Sequence, residues 1–227
     1  MTRTLLVGAG GLGGPIAMAL AAAGHDLAIV DHDVVELSNL HRQIQFTSAD
    51  LGLPKASRLA AKVGATAIVA KWSAALGDDR DLVVDASDDP ETKFAIADWA
   101  VANGRRHAIV SALRFGGNIF AGAPGAACYR CLFEDPSGAP TCAGAGVLGP
   151  VVGAIGGVAA AVAIGLASGD RALAGVLFVF DDLRRVAEPR IVRFAPRPGC
   201  PACACAPIKP HWKEVPDAQH SRSQRTS

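Results

Sequence analysis

The stretch TLLVGAGGLGGPIAMAL near the N terminus constrains the fold more than any other part of the sequence. A short apolar run, Thr4–Val7, leads into a glycine-rich turn, and a helix-like run, Gly14–Ala23, follows. Gly8 permits a tight turn, Gly10 lets the backbone approach a phosphate, and Gly13 lets the helix pack closely. The N terminus of such a helix attracts negative charge. The order strand, glycine turn, helix therefore predicts a nucleotide-binding α/β fold.

Strand-like and helix-like runs alternate along the first half of the chain. The predicted strands are Thr4–Val7, Leu27–Val30, Thr66–Ala70, Leu82–Asp85 and Ala108–Ser111, and the predicted helices are Gly14–Ala23, Ala56–Val63 and Glu91–Asn103. This alternation predicts a Rossmann-like, mostly parallel sheet with helices on both faces, which binds ligands beyond the carboxyl ends of its strands. Three extended runs in the second half, GGNIFAGAPG, GVLFVFDDL and RIVRFAP, predict antiparallel strands that extend the sheet.

One domain and a tail account for the whole chain. We expect residues 1–205 to form the α/β domain. Residues 206–227 are poor in apolar side chains, and we expect them to form a disordered tail. The formal net charge is +1, and no basic block precedes the tail. The charge pattern therefore does not favour a nucleic-acid surface.

Two apolar segments resemble membrane signals. The N-terminal MTRTLLVGAGGLGG is a conceivable signal peptide, but its glycines would break the hydrophobic helix that such a peptide needs. The uncharged segment Ala143–Ser168 is long enough to span a bilayer. Its Ala, Gly and Val content, with Pro150 near its start, favours a loop followed by a buried helix. We therefore expect a cytoplasmic protein without a membrane span.

Polar residues follow the glycine turn in an order that ordinary dehydrogenases do not need. Asp31, at the end of the second predicted strand, would accept hydrogen bonds from ribose hydroxyls, the alternative being a turn or helix cap. The stretch SNLHRQ then supplies Asn39, Arg42 and Gln43, and GLPKA supplies Lys55. Attack on the α-phosphate of ATP gathers negative charge that such cations would neutralise, whereas hydride transfer does not.

Two further acids suggest a metal. Asp85 and Asp88 in DASDD offer the hard oxygen ligands that Mg²⁺ prefers, and ATP chemistry needs that ion. For any one of these charged residues taken alone, a solvated surface charge is the competing interpretation. The prediction depends on their convergence at one edge of the sheet.

Four of the six cysteines form two C-x-x-C pairs. They are Cys128 and Cys131 in CYRC, and Cys200 and Cys203 in CPAC. Two such pairs predict tetrahedral thiolate ligation of a structural Zn²⁺. A redox role for the pairs is the alternative. Cys205 is spare in this scheme.

Four stretches together resemble the ThiF/MoeB/HesA adenylyltransferases, relatives of ubiquitin-activating enzymes. They are GAGGLGGP, DHDVVELSNLHRQ, GLPKA and DASDDPETKF, and the resemblance extends from about Thr4 to Cys203. It implies binding of ATP and Mg²⁺ and adenylation of the C-terminal glycine of a small β-grasp protein, a sulfur carrier or ubiquitin-like modifier. It also implies a homodimer or hetero-oligomer, and a Zn²⁺ held by the four paired cysteines.

The resemblance also assigns roles to individual residues. Asp31 would hold the ribose, and Asp88 the magnesium. Asn39, Arg42 and Lys55 would hold the phosphates. The nucleotide-contacting set would comprise Gly8, Gly10, Gly11, Gly13, Asp31, Asn39, Arg42, Gln43 and Lys55.

Cys142, in PTCAGAGVLGP, precedes a glycine-rich turn and a predicted helix N terminus, which would lower its thiol pKa. The resemblance makes it a candidate for handling sulfur or forming a thioester. The alternative is a small buried apolar residue.

Three functions remain in competition at this level. The first is adenylation of a carrier protein, catalysed by Arg42, Lys55 and Asp88 with Cys142 as a candidate. The second is a degenerate scaffold subunit that pairs with an active partner, because only Met1–Thr4 precede the first strand where the family carries an N-terminal arm with an arginine. The third is an NAD-dependent dehydrogenase, which would leave the two C-x-x-C pairs unexplained.

Overall fold

The fold is described by a computed structural model that covers residues 1–137, 146–185 and 188–203. Cys142, Cys205 and the predicted tail 206–227 lie outside the described residues, so the predictions for them stay predictions.

An eight-stranded sheet forms the centre of the molecule. Its strands are β1 (Arg3–Val7), β2 (Asp26–Val30), β3 (Thr66–Ile68), β4 (Leu82–Asp85), β5 (Arg106–Leu113), β6 (Gly116–Gly122), β7 (Val176–Phe180) and β8 (Arg190–Arg193). The spatial order is β3-β2-β1-β4-β5-β6-β7-β8. Strands β1 to β5 run parallel, and β6, β7 and β8 add antiparallel strands. The predicted fold class, a mostly parallel sheet with an antiparallel extension, is confirmed.

Helices cover both faces of this sheet. They are α1 (Gly13–Ala22), α2 (Lys55–Val63), α3 (Pro90–Ala102), α4 (Tyr129–Leu132) and α5 (Gly149–Ala167). Because side chains alternate along a strand, Leu6 packs into one core with residues of α1, α2 and α5, whereas Leu5 packs into a second core with residues of α3. Two hydrophobic layers therefore hold the sheet and fix the strand ends on which the site is built.

The long apolar segment is the buried helix that its composition predicts. Helix α5 has a mean hydropathy of 2.1, enough by length and composition to cross a membrane, but half of it is buried in the fold. It packs on α1 and on strands β5 and β6. A Cβ atom at Gly156 would lie 2.5 Å from Pro15 of α1, so the small residue lets the two helices approach closely. The helix therefore belongs to the core.

The glycine turn between β1 and α1 depends on the absence of side chains. Gly8 has a φ of +98°, and a Cβ atom there would lie 2.8 Å from the backbone of Ala86. At Gly13 a Cβ atom would lie 2.0 Å from the carbonyl oxygen of Gly8. Any side chain at position 13 would therefore collide with the backbone of Gly8 at the start of the same turn. This constraint is tighter than the helix-on-sheet packing that the motif predicts for Gly13.

A histidine is buried in the second core without full hydrogen bonding. His107 of β5 is 2% exposed, and its ring lies against Phe120 and over the open position of Gly122. Its Nδ1 lies 3.4 Å from the carbonyl oxygen of Arg105, while Nε2 has no partner within the described residues. Burial lowers the pKa of His107 to about 4. The fold therefore favours the neutral ring.

We expect His107 to make the fold sensitive to acid. The unfolded chain binds this proton near pH 6.5 and the folded chain only near pH 4, so stability is complete above pH 6.5 and falls as the pH drops toward 4. The contribution lost between pH 7 and pH 5 is about 2 kcal/mol. Urea unfolding of the wild type and His107→Phe at both pH values, with excess Zn²⁺, measures it. An equal loss of stability in both proteins would contradict the assignment.

Candidate active site

A cavity of about 1110 Å³ opens at the carboxyl ends of the parallel strands. All but two of the sequence-predicted nucleotide and magnesium residues line it: Gly8, Gly10, Gly11, Asp31, Asn39, Arg42, Gln43, Lys55 and Asp88. The two exceptions are Gly13, which shapes the turn from within α1, and Asp85, which is fully buried. The fold thus collects, at the edge where such sheets bind ligands, residues that are up to 80 positions apart in the chain.

Asp31 connects the glycine turn to the end of β2. Its Oδ2 accepts a hydrogen bond from the Ala9 N–H at 2.7 Å, and its Oδ1 accepts one from the Asp33 N–H at 2.8 Å. Each carboxylate oxygen can accept a second donor, so these bonds leave capacity for a ribose hydroxyl. The aspartate therefore serves as a turn-stabilising group, as the alternative interpretation has it, and its geometry still permits the ribose role.

The SNLHRQ stretch folds into consecutive turns that abut the glycine turn. The N–H groups of Arg42 and Gln43 both donate to the carbonyl oxygen of Asn39. A Cβ atom at Gly11 would lie 2.9 Å from the carbonyl oxygen of Arg42, so a larger residue there would push the two segments apart. This contact places Arg42 next to the glycine turn.

Asn39 orients Arg42. The guanidinium Nη2 donates to Asn39 Oδ1 at 2.5 Å, and the Asn39 amide donates to Glu36 Oε2 at 3.1 Å. In this arrangement the asparagine holds the arginine side chain through its oxygen, and one amide N–H remains for the phosphate contact that the resemblance implies.

Lys55, the first residue of α2, is a buried cation with a fixed partner. Its side chain is only 8% exposed, and its Nζ lies 2.9 Å from Asp33 Oδ2. Burial alone would raise the pKa of Asp33, but the hydrogen bond and charge of Lys55 outweigh that effect and lower it. The contact with Asp33 therefore fixes the Lys55 Nζ at the cavity wall. Sequence analysis missed Asp33, although its place two residues after Asp31 in DHD marks it.

The three aspartates of the DASDD stretch, at and beyond the end of β4, have different roles. Asp88 is exposed and lines the cavity, where a carboxylate could bind a cation. Asp89 caps α3, because its side chain accepts hydrogen bonds from the N–H groups of Glu91 and Thr92. Asp85 is fully buried, and its oxygens bind Ser87 and Lys93. The expectation that Asp85 offers a free ligand to Mg²⁺ is therefore corrected, since its oxygens are already committed.

Lys93 is the main partner of the buried Asp85 carboxylate. Its Nζ donates at 2.7 Å to each of three oxygens: Asp85 Oδ2 and the carbonyls of Ser87 and Val110. Burial raises the pKa of Asp85, and the Lys93 charge and the Ser87 hydrogen bonds oppose that rise. The three bonds tie the end of β4, the following turn and β5 together. A lysine among the apolar residues of α3 is the sequence signal that could have found this pair.

Removing only one member of this pair should be costly. We expect Lys93→Met to lower the free energy of unfolding by about 3–5 kcal/mol, because it leaves a buried carboxylate without its partner. The double variant Asp85→Asn/Lys93→Met should lose clearly less, because neither charge remains. Denaturant unfolding of both variants and of Asp85→Asn closes the thermodynamic cycle. Additive losses in the double variant would show that the two side chains are not coupled.

The paired cysteines lie together as their spacing predicts. The Sγ atoms are 3.7 Å apart for Cys128 and Cys131, 3.5 Å for Cys128 and Cys200, and 3.4 Å for Cys131 and Cys203. All four lie within 4.8 Å of one another. Zn–S bonds of about 2.3 Å to a tetrahedron of thiolates place the sulfurs about 3.8 Å apart. The cluster therefore fits a Zn²⁺ ion.

Hydrogen bonds fix the cluster to the rest of the fold. Burial opposes ionisation of Cys200, but N–H groups of Cys203 and Ala202 lower the pKa of its thiol to about 6. The Arg197 N–H donates to Cys131 Sγ at 3.3 Å. Beside it, Arg130 binds both carboxylate oxygens of Asp98 on α3. None of the four cysteines lines the cavity, so the cluster has the character of a structural site.

The sequence model of the ThiF family matches residues 1–202. The chain belongs to the ThiF family. This membership confirms the resemblance carried by the glycine turn, the SNLHRQ stretch, GLPKA and DASDD, and it removes the basis for the dehydrogenase interpretation.

Curated relatives share more than a third of the sequence. An "Adenylyltransferase and sulfurtransferase MOCS3" from Dictyostelium discoideum is 34% identical over 227 residues, 91% of this chain and 52% of the relative. The corresponding Sus scrofa protein is 39% identical over 223 residues, 89% and 48% of the two chains. A "Sulfur carrier protein adenylyltransferase" from Thermus thermophilus is 38% identical over 228 residues, 90% and 83% of the two chains. The chain thus spans about half the length of the MOCS3 relatives.

Solved structures show the same fold. E. coli MccB in complex with MccA-N7isoASN superposes with a TM-score of 0.76 at 17% identity, covering 89% of this chain and 67% of MccB. E. coli MccB with ATP gives a TM-score of 0.75 at 17% identity, with 89% and 66% covered. These likenesses establish the architecture of the ThiF-family domain.

Proposed function

We propose that this ThiF-family protein adenylates the C-terminal glycine of a small β-grasp protein, a sulfur carrier or ubiquitin-like modifier, with ATP and Mg²⁺. The observation that carries the proposal is the convergence of Arg42, Lys55 and Asp88 with the glycine turn around one cavity. A dinucleotide hydride carrier has no use for two cations and an exposed acid at this place. The names of the Thermus thermophilus and MOCS3 relatives support the same reaction class.

The proposed chemistry follows from charge. A carboxylate oxygen of the carrier's terminal glycine attacks the α-phosphorus of ATP, and the bond from that phosphorus to the bridging oxygen of pyrophosphate breaks. An acyl-adenylate and pyrophosphate result. Arg42 and Lys55 stabilise the negative charge that gathers on the phosphate oxygens, and Asp31 holds the ribose. Asp88 would hold Mg²⁺, which supplies further neutralisation of the polyphosphate.

A later sulfur step is a separate part of the proposal. The MOCS3 relatives are named sulfurtransferases as well as adenylyltransferases, and this chain spans about half of them. Cys142, outside the described residues, stays a candidate for capturing the activated carrier as a thioester or handling sulfur. We place the reaction in the cytoplasm and expect a homodimer or a hetero-oligomer.

Carrier-dependent exchange of pyrophosphate into ATP tests the proposal. The purified protein is incubated with candidate carriers that end in Gly-Gly, ATP and Mg²⁺, and mass spectrometry identifies the adenylated C terminus. We expect exchange only with a carrier, and loss of exchange in Arg42→Ala and Asp88→Ala. The matched control is Arg193→Ala, because the exposed Arg193 side chain donates to the carbonyl oxygen of Ala172 and does not line the cavity. Retained Zn²⁺ with no detectable ATP binding would instead favour the scaffold-subunit alternative.

A further inference from the structure

A glutamine two residues beyond the SNLHRQ stretch holds the glycine turn. Gln45 is 3% exposed, and its Nε2 donates to the carbonyl oxygens of Ala9 at 3.0 Å and Gly10 at 2.8 Å. A Cβ atom at Gly14 would lie 2.5 Å from the Gln45 side chain, so the glycine provides the space that the amide occupies. No sequence motif discussed above includes this residue.

The geometry of a trans peptide determines which backbone N–H groups the Gln45 contact orients. The carbonyl and the N–H of one peptide unit point in opposite directions. The carbonyls of Ala9 and Gly10 point toward Gln45, so the N–H groups of Gly10 and Gly11 point away from it. Both of these glycines line the cavity. The N–H of Ala9 is already bound to Asp31 and is not available to a ligand.

We propose that Gln45 is a positioning residue that fixes the N–H groups of Gly10 and Gly11 toward the phosphates of ATP. The inference rests on the proposed function only for the identity of the nucleotide. Gln45 does not line the cavity, so it acts through the turn and does not contact the ligand. Two backbone donors held in advance bind a phosphate without the cost of ordering them at that moment.

The amide oxygen of Gln45 indicates that the contact with the glycine turn serves ligand binding more than stability. Gln45 Oε1 is buried and has no hydrogen-bond partner within the described residues. An unsatisfied buried acceptor destabilises a fold. In Gln45→Leu that acceptor disappears. The carbonyl oxygen of Gly10 keeps the Gly14 N–H as a donor at 3.1 Å, whereas the carbonyl oxygen of Ala9 loses the Gln45 donor, so one unsatisfied oxygen replaces another. The substitution should therefore leave the free energy of unfolding nearly unchanged.

Calorimetric titration of the full-length protein with ATP and Mg²⁺, together with denaturant unfolding, tests the inference. We expect Gln45→Leu and Gln45→Met to raise the Kd for ATP about 5- to 50-fold while the unfolding midpoint stays near that of the wild type. Gln45→Glu should weaken binding further, because an ionised carboxylate cannot donate to the two carbonyls. The matched control is Asn103→Leu, which removes an amide that donates to the Trp99 carbonyl at the end of α3. It should leave the Kd unchanged.

Three results would overturn the inference. Wild-type affinity in both Gln45→Leu and Gln45→Met would show that the turn keeps its shape without the amide. A large loss of stability in both variants would assign Gln45 a purely structural role. Failure of the wild type to bind ATP would overturn the proposed function as well, whereas the first two results leave it intact.

Discussion

Lys55→Met should lower the rate of carrier-dependent ATP–pyrophosphate exchange by about 10²–10³-fold. Removal of one fixed donor to transition-state charge costs this much in enzymes that depend on such donors. Lys55 is buried and paired with Asp33, so its ammonium group needs little rearrangement to meet the developing charge. Methionine keeps the length and apolar packing of the stem, which confines the change to the charge.

A second cation on the same helix provides the control for Lys55. Arg58 donates to the buried carboxylate of Asp50 at 2.6 Å and does not line the cavity. Arg58→Met therefore removes an α2 cation paired with an aspartate, and we expect it to retain the exchange rate. A Lys55→Met protein with wild-type kcat and KM for ATP would contradict the role that we assign to the lysine.

Cys200→Ser should remove the bound Zn²⁺ and strongly destabilise the fold. Metal binding at a structural thiolate site contributes directly to folding free energy, so loss of one ligand should cost several kcal/mol. For a chain of this length the expected fall in Tm is on the order of 10 °C. Elemental analysis for zinc, combined with thermal unfolding, measures both effects. The wild type should hold one Zn²⁺ per chain.

Substitution of the remaining two cysteines provides the control for the zinc site. Cys205→Ser and Cys142→Ser should each keep one Zn²⁺ per chain and an unchanged Tm, because the four clustered cysteines already supply the four thiolates of a tetrahedral site. If Cys205→Ser lost the metal while Cys200→Ser kept it, the ligand set proposed from the structure would be wrong.

Local sequence patterns were sufficient for the architecture. Apolar runs bounded by glycines and acids marked the parallel strands, and the observed ends differ by two residues or fewer. The glycine turn predicted the strand end at which the cavity opens, and the two C-x-x-C pairs predicted the sulfur cluster. These features succeed because the physical constraint lies within a few consecutive residues, such as the left-handed backbone of Gly8.

Residues that act through long-range contacts could not be identified in this way. Lys93 meets Asp85 only because α3 packs over the end of β4, and DASDD alone makes Asp85 look like a free metal ligand. Gln45 meets the glycine turn across 35 positions of sequence or more. The buried environment of each side chain is a property of the packed sheet and helices. Lys93 binds Asp85 of the DASDD stretch, and Gln45 binds the glycine turn, so each residue supports a motif that the sequence does identify.

The crystal structure of the protein in complex with ATP and Mg²⁺ tests the central claim most directly. We predict the polyphosphate against the N–H groups of Gly10 and Gly11, with Arg42 and Lys55 within hydrogen-bond distance of phosphate oxygens. The metal ion should be bound by Asp88, and the ribose should contact Asp31. Phosphates bound outside this cavity, or a nucleotide in it that contacts neither cation, would contradict the account.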